Sequence, residues 1–381
     1  MATRKKNTGQ ESLAQHKKYG GKLSVESKVP LKTKNDWSTY YTPGIAAVAS
    51  HLAQHPEAAR THSIKKNTVA VISDGSAVLG LGNIGPYGAL PVMEGKAAIF
   101  KTMADIDAFP IVLDTQDTDA IIETIVNLAP GFGGINLEDI SAPKCFEVEE
   151  RLKKRLAIPV MHDDQHGTAI VVLAALTNAL KVVKKKKDTA SVAILGAGAA
   201  GNAIAQLLAY DGYGDIAVVD SRGVITKARK DLAPHKKKLA RLPQKRKGLV
   251  TALDAVSEAD VLIGVSGPNT VSKEMVAAMA EDAIVFALAN PIPEILPTAA
   301  HAAGARVVAT GRSDFPNQVN NALVFPGIFR GALDKQVSAI TDEMKVKAAH
   351  ALARLVAKPT AAKIVPAVSD PRVVKAVAKA V

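Results

Sequence analysis

The segment Gly196-Ala197-Gly198-Ala199-Ala200-Gly201 restricts the fold more than any other. An apolar run, Ser191-Val192-Ala193-Ile194-Leu195, precedes it, and an apolar stretch over 202–210 follows. This order reads as a strand, a glycine loop and a helix. A second strand over 215–220 closes on Asp220, roughly 20 residues further on, where a dinucleotide-binding unit carries its acid. Such an order needs a parallel strand–helix–strand crossover. Gly196 permits the tight turn, Gly198 lets the backbone approach a pyrophosphate, and Gly201 lets helix and strand pack closely. Gly196, Gly198, Ala199, Ala200 and Gly201 are therefore the candidate cofactor-binding residues, with the pyrophosphate at the helix start. Asp220 would hydrogen-bond an adenosine ribose and repel a 2′-phosphate, which leans the cofactor towards NAD. Ser221 and Arg222 could instead hold the phosphate of NADP. A second run, Gly80 to Gly85, has the same glycine spacing, but Pro86, Gly88 and Pro91 follow at once, so no helix is expected to open there.

Further strands are expected over 68–73, 108–113, 134–140, 156–160, 261–265, 284–288 and 306–309. Helices are expected over 45–53, after Gly95, and over 118–127 and 168–183. Strands alternating with helices argue for α/β packing in two domains, because 381 residues exceed one ordinary core. The basic run Lys184 to Lys187 marks the boundary and reads as a solvated helix end. Residues 1–183 then form an N-terminal parallel α/β substrate and metal domain, and 184–333 a Rossmann-type NAD(P)-binding domain. Residues 334–381 form a helical tail that folds back on the first. Residues 1–35 read as a loosely held polar arm and 236–247 as an exposed basic loop.

Hydrophobic residues make up 48% and charged ones 22%, while aromatics are only 4%, so the core must be mostly aliphatic. A net charge of +12 would suit anionic partners. The lysine runs lack interleaved aromatics or a recognised binding module, so nucleic-acid binding is only a remote alternative. One cysteine, Cys145, excludes an intrachain disulfide. No stretch approaches the roughly 18 apolar residues of a membrane span, and the expectation is a soluble, cytoplasmic protein.

The chemistry centres on Met161-His162-Asp163-Asp164-Gln165-His166-Gly167, where two adjacent carboxylates fall at a strand-to-helix junction. Either they cap the helix, expected from Thr168, or they meet a cation. Glu138-Asp139 closes another strand of the same domain, and parallel strands place their C-terminal ends along one edge. Carboxylates without a cysteine set suit Mg²⁺ or Mn²⁺. His162 and His166 have the spacing of zinc ligands, but Asp163 stands where that motif needs glutamate and Gly167 follows. A hydride-accepting cofactor and a metal together suggest oxidation of an alcohol followed by loss of CO₂, which needs a base and an acid. Lys96 after Gly95 and Tyr41 before Thr42-Pro43 are the candidates.

Taken in order, Tyr41-Thr42-Pro43-Gly44, Ser73-Asp74-Gly75 with Leu79 to Gly85, Glu94-Gly95-Lys96, Leu137-Glu138-Asp139, His162 to Thr168, Gly196 to Gly201, Ala289-Asn290-Pro291 and Asn320 to Gly327 resemble the motifs of malic enzymes. The resemblance runs from about Tyr19 to Asp334 and is similar to the short microbial form. It implies oxidation of L-malate by NAD(P)⁺, decarboxylation on a divalent metal and release of pyruvate, with oxaloacetate decarboxylation as an accompanying activity. It assigns Lys96 as base and Tyr41 as acid, with Glu138, Asp139 and Asp164 as metal ligands and Asp163 tuning the base. Asn290, Asn320 and Asn321 are assigned to the substrate, Asn290 also to the cofactor, and a homodimer or larger homo-oligomer is implied. Larger members carry an arginine in the loop after the Asp-Gly, where this chain has Ser76-Ala77-Val78. A malolactic reaction on the same site, with NAD retained and lactate released, is the alternative.

Overall fold

The computed structural model describes residues 8–381. Its first sheet contains β1 (Thr68–Ser73), β2 (Asp107–Val112), β3 (Gly134–Leu137) and β4 (Val160–His162), in the order β2-β1-β3-β4 and all parallel. The second contains β5 (Ser191–Leu195), β6 (Asp215–Asp220), β7 (Gly223–Val224), β8 (Val261–Gly264), β9 (Ile284–Ala287) and β10 (Val307–Thr310). Their order is β10-β9-β8-β5-β6-β7, parallel except for the β6–β7 hairpin. Every residue of β1, β3, β5, β8 and β9 is buried. That is why these strands read as continuous apolar runs rather than alternating ones: helices cover both faces.

The helix Asp163–Val182 joins the two halves. It is apolar on nearly every side because it packs against both Ala199–Tyr210 and Asp342–Arg354. One core cluster accordingly takes in Val69 and Val71 of β1, Leu173 and Leu176 of this helix, and Val192 and Ile194 of β5. After β10 the chain returns to the first sheet. Phe325 and Phe329, on the helix Phe325–Asp334, meet Phe100 edge-on at 4.7 and 5.5 Å. The helix Arg372–Ala380 packs on Phe325–Asp334 so closely that a Cβ at Gly327 would lie 2.6 Å from that of Val377.

Several boundaries differ from the sequence expectation. The long helix opens at Asp163, five residues before Thr168, since two acids in its first turn suit the positive end of the helix. A helix does follow the Gly80 to Gly85 run, from Gly85 to Ala104. Pro86 occupies its first turn, where no N–H is needed, and Pro91 gives up one bond on an exposed turn. The arm carries the helix Thr8–Tyr19, and its Lys22 Nζ donates to Pro91 O at 2.8 Å. Residues 1–7 of the expected arm lie outside the described residues. The lysine run is not simply solvated, for Lys185 pairs with Asp260 at 2.6 Å and Lys187 with Asp211 at 3.1 Å. The expected basic loop holds part of the helix Pro234–Leu239, and Arg246 binds Asp215 at 2.8 Å.

Candidate active site

Strand register brings the acids together. Ile72 pairs with Leu137 and Leu137 with His162, so Glu138-Asp139 and Asp163-Asp164 emerge side by side at the carboxyl edge of the first sheet. Asp139 takes a left-handed backbone (φ 54°) and donates its N–H to Asp164 Oδ2 at 2.8 Å. Asn136 Nδ2 holds Glu138 Oε2 at 2.9 Å. One ligand oxygen each from Glu138, Asp139 and Asp164 lie within 4.8 Å of one another. Burial pushes the Glu138 carboxyl well above the usual range against the pull of Lys96. Burial also pushes Asp139 up to about 7, with Asp164 adding to the effect. Asp139 Oδ2 is buried without a hydrogen-bond partner. Three crowded carboxylates with an unpaired buried oxygen fit a hard divalent cation, which would relieve their mutual repulsion. His166 is committed elsewhere, its Nε2 lying 2.9 Å from Glu149 Oε2.

Lys96 reaches this edge from the helix Gly85–Ala104. Its Nζ lies 2.6 Å from Asp163 Oδ2, 2.8 Å from Glu138 Oε1 and 4.3 Å from the centre of the Phe325 ring. Burial pulls this ammonium down, but Asp163 and then Glu138 outweigh it and hold it above the usual lysine range. Asp163 is itself wholly buried, and burial raises its carboxyl despite Lys96. A Cβ at Gly167 would stand 1.8 Å from Asp163 Oδ1 and 3.2 Å from Asn321 Cβ, so Gly167 and Asn321 border the same site.

The remaining predicted residues divide. Asn290 meets the loop of the first half through its backbone, since a Cβ at Gly80 would lie 2.1 Å from its carbonyl oxygen, while its side-chain amide lies against Gly311. Asn320 Oδ1 accepts the N–H of Ala322 at 2.8 Å and so caps the turn Asn321–Leu323. Tyr41 is not brought to Lys96: its ring is exposed at the end of the helix Lys34–Tyr40, edge-on to Trp37 at 6.2 Å. The cofactor loop follows β5 beside β8, where the strand order reverses. Gly196 has φ 122°, a Cβ at Gly201 would stand 1.9 Å from Gly196 O, and Gly198 faces open space at the start of the helix Ala199–Tyr210. Ala199 and Ala200 form its first turn. These features fit a cradle for a pyrophosphate.

Other residues that shape the site were given no role from the sequence. Glu149 is one of several acids in the helix Lys144–Arg155, yet it is buried, and its Oε1 accepts the His162 N–H at 3.0 Å, bracing the junction that presents Asp163 and Asp164. Phe325 stood inside a quoted motif without a role. In the loop that lacks arginine, Ser76 Oγ donates to Asp74 Oδ1 at 2.6 Å and accepts the Ser141 N–H at 2.9 Å, while Lys144 pairs with Asp74.

Comparison with known proteins supplies the family context. Residues 20–153 match the family model "Malic enzyme, N-terminal domain" and 165–381 match "Malic enzyme, NAD binding domain". The chain is 53% identical to the NAD-dependent malic enzyme of Geobacillus stearothermophilus, over 95% of this chain and 76% of the relative. It is 52% identical to the bifunctional malic/malolactic enzyme of Bacillus subtilis, over 98% and 92% respectively. The crystal structure of the NAD-dependent malic enzyme of Thermotoga maritima superposes with a TM-score of 0.94 at 46% identity, covering 97% of this chain and 98% of that one. Among the described residues, no helix is long and apolar enough to cross a membrane.

Proposed function

The chain belongs to the malic enzyme family, and from that premise we propose how its residues divide the work of oxidising and decarboxylating L-malate to pyruvate and CO₂ with reduction of NAD⁺ or NADP⁺. The observation that carries the reading is Lys96 Nζ lodged between Asp163 and Glu138, the latter shared with the three-carboxylate cluster. Glu138, Asp139 and Asp164 would hold Mg²⁺ or Mn²⁺, which polarises the substrate hydroxyl and stabilises negative charge on its oxygen. Gly196 to Gly201 would hold the pyrophosphate of the cofactor, whose nicotinamide accepts the hydride.

Lys96 is the base that takes the hydroxyl proton at Nζ. Two carboxylates keep it an ammonium, so it must first release a proton to solvent, which becomes easier when one of them is drawn off, and Glu138 is the one the metal set also claims. Asp163 then remains to position the amine. Asn290 and Asn321 orient the substrate carboxylates, with Asn320 capping the turn that presents Asn321 beside Gly167. Tyr41 returns a proton to the enolate carbon. Its place between the helices Lys34–Tyr40 and Ile45–Gln54, which also expose Trp37, Tyr40, Ile45 and Val48, supports a homodimer or larger assembly in which this surface is covered. In this reading residues 1–183, joined by the C-terminal helices, serve substrate and metal, and the cofactor part begins at 184.

The malolactic outcome is kept as a second reading because the Bacillus subtilis relative is named for both reactions. Incubation with L-malate, Mn²⁺ and excess NAD⁺ or NADP⁺ separates them. Absorbance at 340 nm should rise with stoichiometric pyruvate. No rise with lactate formed would overturn the oxidative reading.

A further inference from the structure

We propose that Arg229 and Lys236 set cofactor selectivity and make the site tolerant of a 2′-phosphate, so that NADPH and NADH bind with affinities within about tenfold of one another. This rests on the reading of Gly196 to Gly201 as the dinucleotide loop. Asp220 ends β6, where such folds place the acid that takes the ribose hydroxyls and turns away NADP. Here that acid is already occupied. Its Oδ1 accepts Arg229 Nη1 at 2.8 Å and the Arg222 N–H at 2.9 Å, and its Oδ2 accepts Arg229 Nη2 at 3.2 Å and Lys236 Nζ at 2.6 Å. A carboxylate offers about four lone-pair sites, so four donors leave none for a ribose hydroxyl.

The side chain of Asp220 is only 6% exposed, which keeps solvent from loosening these contacts. Burial would raise its carboxyl, yet Arg229 and Lys236 hold it down to about 2, so it stays ionised and paired at any working pH. Arg229 also binds Asp231, at 2.6 Å, as does Arg222 at 3.1 Å. Three cations, Arg222, Arg229 and Lys236, thus meet two carboxylates, Asp220 and Asp231, and the local balance is positive. A 2′-phosphate arriving there finds a net cation where an unpaired acid would have repelled it. Lys236, whose ammonium has one partner and whose side chain is 26% exposed, and Arg222, 71% exposed and paired through its guanidinium only with Asp231, are the cations able to turn towards it, and of the two Lys236 is the one held on Asp220 itself.

The test is equilibrium titration of the full chain with NADH and with NADPH, followed by nicotinamide fluorescence, for the parent and for Lys236→Ala. Dissociation constants within tenfold of each other in the parent are expected. The substitution should weaken NADPH at least fivefold more than NADH, with thermal unfolding unchanged. A preference for NADH beyond tenfold in the parent, or equal losses for the two nucleotides in the variant, would overturn the proposal. If neither nucleotide bound to folded protein, the reading of the loop itself would fail, and the proposal with it.

Discussion

Replacing Gly167 by alanine tests the active-site geometry through one methyl group. The new Cβ would stand 1.8 Å from Asp163 Oδ1 and 2.8 Å from its Cγ. The first contact is roughly 1.5 Å short of an ordinary one. The helix backbone gives little, so the carboxylate must move. Asp163 is wholly buried and its other oxygen holds Lys96 at 2.6 Å, so any rotation that clears the methyl group draws Oδ2 off the ammonium. Misplacing a reacting group by about 1 Å costs on the order of 100-fold in rate. Crowding a packed interior costs a further 1–3 kcal/mol or so of stability. The expected result is a kcat for malate oxidation about 100-fold below the parent, a lowered Tm, and NAD(P)H binding retained because the cofactor loop lies on the other sheet. Gly131→Ala serves as control, since a Cβ there meets nothing within 4 Å. A folded Gly167→Ala enzyme with kcat within threefold of the parent would refute the idea that Asp163 must sit where it does for Lys96 to work.

Lys96→Ala should abolish malate oxidation while leaving NADH fluorescence titrations unchanged; substantial residual turnover would remove Lys96 as the base. Asp164→Asn should weaken Mn²⁺ binding by about tenfold or more, read from free Mn²⁺ by electron paramagnetic resonance, in line with losing one charged ligand. Asp107 lies between Lys28, Lys101 and Asn67, and although burial opposes it, these partners hold its carboxyl down to about 2. A depressed folded value stabilises above the unfolded pKa, near 4, and the gain is lost as pH falls through about 2. Asp107→Asn should therefore cost up to about 2 kcal/mol at pH 7. In denaturant melts the gap between variant and parent should narrow between pH 4 and 2; a gap independent of pH would show that charge plays no part.

The strands were legible because sheets covered on both faces require unbroken apolar runs, as in Thr68–Ser73 and Ser191–Leu195. The candidate cofactor loop was legible because a strand directly before it and an unbroken apolar helical run directly after it flank the glycine pattern at Gly196 to Gly201, whereas Pro86 and Pro91 hid the helix that opens at Gly85. The acids of the three-carboxylate cluster could be named because strand ends converge, but the contacts that hold them could not. In the helix Lys144–Arg155 the stripe Cys145-Val148-Leu152 puts Glu149 on the inward face, unlike Glu147 and Glu150, but nothing in the sequence names the His162 N–H it would meet there. Asp220 read as an open acid because its masking cations, Arg229 and Lys236, lie nine and sixteen residues away in a stretch that looks merely basic. The early start of the long helix was hidden by Asp163 and Asp164, polar residues at positions where a buried helix is expected to be apolar.

The return of the chain after β10 has a consequence for anyone recombining this enzyme with a relative. Phe325, which covers Lys96, arrives only after the whole cofactor sheet has been laid down, and the helix Arg372–Ala380 is packed directly onto the segment that carries it. A chimera with a single crossover near residue 184 would seat one parent's aromatic ceiling over the other parent's lysine. Two crossovers, the second before Asn320, would exchange the cofactor sheet, Asn290 included, as a cassette and keep Lys96, Asp163 and Phe325 from one parent.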